Sequence, residues 1–104
     1  MYESRFTTPE EGIEIAEFRL LKEKICSYLK RVGHQLFASQ EVRRAYIKIS
    51  IIYHINNSTV IATFAESTPD NKPPSGRLAI RIFSSTTIED QLKKEITSLD
   101  NRIK

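Results

Sequence analysis

The chain has 104 residues, of which 39% are hydrophobic and 28% charged, with a net charge of +3 and a pI near 9.1. That length predicts a single domain spanning residues 1–104, and the composition excludes wholesale disorder. There is no apolar run of membrane-spanning length and no leader-like start, and the lone cysteine, Cys26, excludes an internal disulfide framework, so an intracellular protein with no membrane partner is expected.

Residues 1–7 carry no strong periodic signal and are expected to be a flexible N-terminus. Thr8-Pro9-Glu10-Glu11 then reads as a helix start, with Thr8 as cap, Pro9 in the first turn and Glu11 in the capping-box position. Phe18, Leu21, Ile25, Tyr28 and Val32, widened by Ile15 and Leu29, make an apolar stripe that predicts a helix over 9–32, ended by Gly33. Ile13, Ala16 and Leu20 form a weaker stripe on the other side, which suits either bare surface or a second partner. Residues 34–45 are ambiguous between a helical turn near Ser39–Val42 and an extended run into the next strand.

From Tyr46 the period becomes two. Ile47, Ile49, Ile51, Tyr53 and Ile55 share one face; Tyr46, Lys48, Ser50, Ile52 and His54 share the other. An Asn56-Asn57 turn would pair Tyr53 with Val60, Ile51 with Ala62 and Ile49 with Phe64, and a turn at Asn57-Ser58 would shift the partners but keep the same faces together. The overlapping Asn-x-Ser/Thr patterns at Asn56 and Asn57 are read as turn chemistry, not glycan sites. Residues 67–76 are a proline-containing loop. Leu78, Ile80 and Ile82 then belong to the core, while Arg77, Ala79, Arg81 and Phe83 face outward. A second capping box, Thr86-x-x-Glu89, opens a last helix whose seam is Ile88, Leu92, Ile96, Leu99 and Ile103. The expected fold is therefore α+β: a two-layer domain of α-β-β-β-α order, a three-stranded antiparallel meander with two helices on one face.

That order resembles the one found in double-stranded-RNA-binding domains and in the Alu-binding subunits of the signal recognition particle. The resemblance stops at topology. Where the former have a Gly-Pro-x-His loop and a lysine-rich helix start, this chain has Ile55-Asn56-Asn57-Ser58 and Thr87-Ile88-Glu89-Asp90, so no family is assigned.

Catalytic chemistry has little to stand on. Cys26 lies mid-helix beside the apolar stripe, far from the electropositive setting a reactive thiol needs. His34 and His54 have no short ligand spacing with it, so neither a metal nor any other cofactor is expected. Gly12, Gly33 and Gly76 are isolated and form no phosphate loop. The expectation is a non-catalytic binding protein, acting through protein contacts as a homodimer or in a small complex. Its candidate surface is the outer sheet face: Tyr46, Lys48, Ile52, His54, Ile61, Arg77, Arg81 and Phe83, joined by Arg43 and Arg44. The mixture of cations and rings makes nucleic acid the alternative partner for the same face.

Overall fold

The computed structural model describes residues 1–88 and 90–104; Glu89, half of the second predicted capping box, lies outside the described residues. In chain order the elements are β1 (Tyr2–Thr7), β2 (Ile13–Glu14), α1 (Ile15–Val32), β3 (His34–Arg43), β4 (Tyr46–Ile55), β5 (Ser58–Ser67), β6 (Ser75–Ser84) and α2 (Asp90–Ser98). One antiparallel sheet runs β1-β6-β5-β4-β3, with β2 also paired to β6. The three-stranded meander is thus overturned by a six-stranded sheet of order β-α-β4-α.

The two missed long strands flank the three that were expected. Residues 2–7 are not a loose tail: they pair with β6 from Tyr2 opposite Ser84 to Thr7 opposite Ala79. Phe6 turns inward and packs against the core. Residues 34–43 form a ten-residue edge strand, resolving that ambiguous segment as β structure. Neither strand buries a full apolar face, so neither shows strong alternation.

The helix starts six residues later than Thr8-Pro9 implied. The Thr8 hydroxyl accepts from Leu78 N at 3.0 Å, and Thr8 N donates to Leu78 O at 3.1 Å, so this residue prolongs the β1–β6 seam. A turn over Pro9–Gly12 and the short β2 follow. The Glu14 carboxylate then accepts from the Ala16 and Glu17 backbone N–H groups, satisfying the free donors of the first turn. Ile13 is buried, so the second stripe reduces to Ala16 and Leu20 in solvent.

On the covered side, Phe18, Leu21, Ile25, Tyr28 and Leu29 of α1 meet Tyr53, Val60, Ala62, Phe64, Leu78, Ile80 and Ile82 of the sheet. Two glycines mark the closest approaches. A Cβ on Gly76 would lie 2.1 Å from the Phe18 ring. One on Gly33 would lie 2.6 Å from His54 O and 2.4 Å from Ile55, so this helix-ending glycine, whose backbone is extended, is there for want of space. The α2 seam of Ile88, Leu92, Ile96 and Ile103 is buried in the same core. The helix itself ends at Ser98: hydroxyls of Thr97 and Ser98 bond back to Lys93 O and Glu95 O, and the Asp100 carboxylate accepts from both the backbone and guanidinium of Arg102. The chain then doubles back, and Lys104 exchanges two backbone hydrogen bonds with Thr7.

The expected hairpin is borne out. Tyr53 faces Val60, Ile51 faces Ala62, Ile49 faces Phe64, and Asn56 takes a positive φ of 53°.

Replacing Gly76 by Ala forces backbone or Phe18 to move and should cost about 1–3 kcal/mol in urea unfolding; adding Phe18→Leu should recover part of the loss. Asp100, held down to about 2 by its hydrogen bonds to Arg102, supplies stability that is full above about pH 4 and lost as pH falls towards 2. Asp100→Asn should therefore lower the melting temperature at pH 7 and converge with the parent near pH 2.

Candidate binding face and open edge

Antiparallel register places the outer-facing residues of the long strands in rows that run across the sheet. One row is Ser39, Ser50, Thr63, Ala79 and Thr7, spanning all five long strands. On one side of it lie Glu41, Lys48, Ala65 and Arg77. On the other lie Phe37, Ile52, Ile61, Arg81 and Arg5, and beyond them His34, His54, Thr59, Phe83 and Glu3. The central row contains only short side chains, four of them hydroxyls, so it forms the floor of a trench walled by longer ones. At about 4.8 Å per strand the floor is roughly 19 Å long, and its two walls, four residues apart along a strand, stand roughly 13 Å from each other.

The trench deepens towards β1. There an open basin of about 640 Å³ is lined by Arg5, Thr7, Glu10, Tyr46, Lys48, Thr63 and Arg77. Small residues make the hollow: Ala65 sits between Lys48 and Arg77, and Thr63 between Ser50 and Ala79.

The charges on this face are unevenly partnered. Arg81 binds Glu3 at 2.9 Å and lies over the Phe83 ring at 4.9 Å. Arg43 and Lys48 share Glu41, the latter at 3.8 Å, and Arg44, in the turn after β3, reaches Asp70 at 3.9 Å. Among the described residues, Arg5 and Arg77 have no ion pair. Arg5 stands directly opposite Arg81 in the register, and the charge of Arg81 is itself met by Glu3.

The structure therefore brings Tyr46, Lys48 and Arg77 together in the basin and places Ile52, Ile61, Arg81, His54 and Phe83 on the same face. Arg43 sits at the β3 end of it, while Arg44 points into the neighbouring turn. Sequence reasoning missed Arg5, Thr7, Phe37 and Ser39, because β1 and β3 went unrecognised. Alternation of Glu3, Arg5 and Thr7 against Tyr2, Ser4 and Phe6 was the signal available for β1.

A second feature lies at the opposite edge. β3 is exposed along nearly its whole length, and Leu36, Phe37 and Val42 are 62%, 58% and 64% exposed. A register shift between Gln35 and Phe37 sets Leu36 at a bulge.

The groups with chemical potential do not converge. His34 and His54 face each other across β3–β4, and among the described residues no cluster of three metal-ligating side chains exists. Burial pushes the Cys26 thiol up, outweighing the opposing pull of Lys22 and Lys30. Burial and the neighbouring thiol push the Tyr53 hydroxyl up to about 12, and that hydroxyl has no partner of hydrogen-bond geometry. No helix among the described residues is long and apolar enough to cross a membrane. No protein-family model matches the chain, and no curated protein matches its sequence.

Because the protonated thiol is favoured, Cys26 should react with a disulfide reagent at pH 8 several-fold more slowly in the native protein than in urea. Equal rates in the two states would contradict that environment.

Proposed function

We propose that the protein is a non-catalytic binding module that associates with a second copy of itself along β3, joining two sheets into one. The observation that supports this reading is the bare β3 edge, which carries three large apolar side chains in solvent. Every second residue of an edge strand directs its backbone N–H and C=O away from the sheet, ready to pair. Edge strands are usually guarded by lysine, proline, a bulge or a covering loop, and beyond the bulge at Leu36 residues 37–42, FASQEV, contain neither lysine nor proline.

The edge is self-complementary. Antiparallel pairing about a two-fold axis at Ser39 sets Leu36 opposite Val42 of the second copy, and does so twice. It also sets Phe37 opposite Glu41 and Ala38 opposite Gln40, so no like charges meet. The apolar pairs adjoin Ile47 of β4, itself 39% exposed and next to Val42. Main-chain bonds would supply affinity, and the Leu36–Val42 contacts the register.

Light scattering should give a dimer mass that is insensitive to moderate salt. Leu36→Lys or Val42→Lys should yield a folded monomer. In a Cys26→Ser background, Ser39→Cys should cross-link on oxidation and Glu41→Cys should not. A wild-type monomer at every concentration, or cross-linking without preference for position 39, would reject the reading.

A further inference from the structure

We infer that the outer trench is a binding groove for a single-stranded nucleic acid, whose sugar-phosphate chain lies across the strands along Ser39, Ser50, Thr63, Ala79 and Thr7. Four cations flank this floor: Lys48 and Arg77 on one wall, Arg81 and Arg5 on the other. Arg5 and Arg77 have no ion pair among the described residues, and both line the basin, which Glu10 also lines. A phosphate seated there would neutralise two otherwise unmatched charges.

Three features favour a polynucleotide over other polyanions. The floor offers hydroxyls, which can donate to phosphate or sugar oxygens, instead of the apolar pockets that would seat peptide side chains. Aromatic rings adjoin the cations on both sides, Tyr46 within the basin and Phe83 beneath Arg81, the pairing of stacking surface and charge that single strands use. The spacing between walls, roughly 13 Å, accommodates one strand but not the full width of a duplex. Recognition on this basis reads backbone charge and base stacking.

The groove is complete within one copy and does not rest on dimerisation. Were two copies joined at Ser39, the floors would meet end to end on the same side of the joined sheet.

The test is fluorescence anisotropy with a short, labelled, mixed-sequence single-stranded oligonucleotide over a salt series. Engagement of all four cations gives a slope of log affinity against log salt of roughly −2.8. Arg77→Ala should weaken binding and reduce the slope by about 0.7, while Tyr46→Leu should weaken it at unchanged slope. Lys94→Ala, a change on α2, should alter neither, and circular dichroism should show all variants folded. The Leu36→Lys variant should retain the slope per protomer, which separates this groove from the proposed dimer edge. Absence of binding at low salt, indifference to both Arg77→Ala and Arg5→Ala, or tighter binding of a duplex or of an acidic peptide of matched charge would overturn the assignment.

Discussion

The architecture turns on the way β6 is paired. This strand, Ser75–Ser84, bonds to β5 along one side and to both β1 and β2 along the other, so it lies inside the sheet although it comes late in the chain. A strand buried in a ladder on both sides has its backbone groups satisfied, and its inward residues Leu78, Ile80 and Ile82 sit at the centre of the core. Recruiting residues 2–7 to its free side closes that ladder. The seam is prolonged by Thr8, bonded to Leu78, and Lys104 pairs with Thr7 along the other side of β1. The same pairing moves Arg5 to within one strand of Arg77 and Arg81, and so creates the cationic end of the outer face.

Helix α1 imposes the second constraint. It crosses from Gly76, where Phe18 presses on bare backbone, to Gly33, where the chain must pass His54 with no room for a Cβ. The end of β4 beneath it is tightly covered at Tyr53 and Ile55, whereas Ile47 at the other end is 39% exposed. The molecule is accordingly elongated, 45 Å in its longest dimension against 26 and 24 Å. The inner layer therefore leaves the β3–β4 arm partly bare, with Leu36, Val42 and Ile47 exposed to solvent.

Local signals were legible where a residue's neighbours in sequence are also its neighbours in space. The β4–β5 register followed from two apolar faces and an Asn-Asn turn, and the stripe of α1 correctly named Phe18, Leu21, Ile25, Tyr28 and Leu29 as buried. Signals failed where long-range pairing competed with a local motif. Thr8-Pro9-Glu10-Glu11 has the chemistry of a helix start, yet Leu78, seventy residues on, claims the Thr8 hydroxyl and amide, and Glu14 caps the helix instead. The α2 seam runs on to Ile103 in sequence, but the Asp100–Arg102 turn carries that isoleucine back into the core after the helix has ended.

By itself the sequence determined the inward and outward faces of β4, β5 and β6, because alternation is a property of each strand regardless of its partners. It likewise determined which side of each helix is buried. Tertiary structure alone decided how many strands the sheet holds and that β1 and β3 flank the other three. β1 and β3 have too little apolar alternation to declare themselves: β1 owes its strand form to a ladder with distant β6, and β3 to a hairpin with β4 across Arg44-Ala45. Outer-face rows such as Ser39–Ser50–Thr63–Ala79–Thr7 exist only through those ladders, since cross-strand neighbours are set by register and not by spacing along the chain.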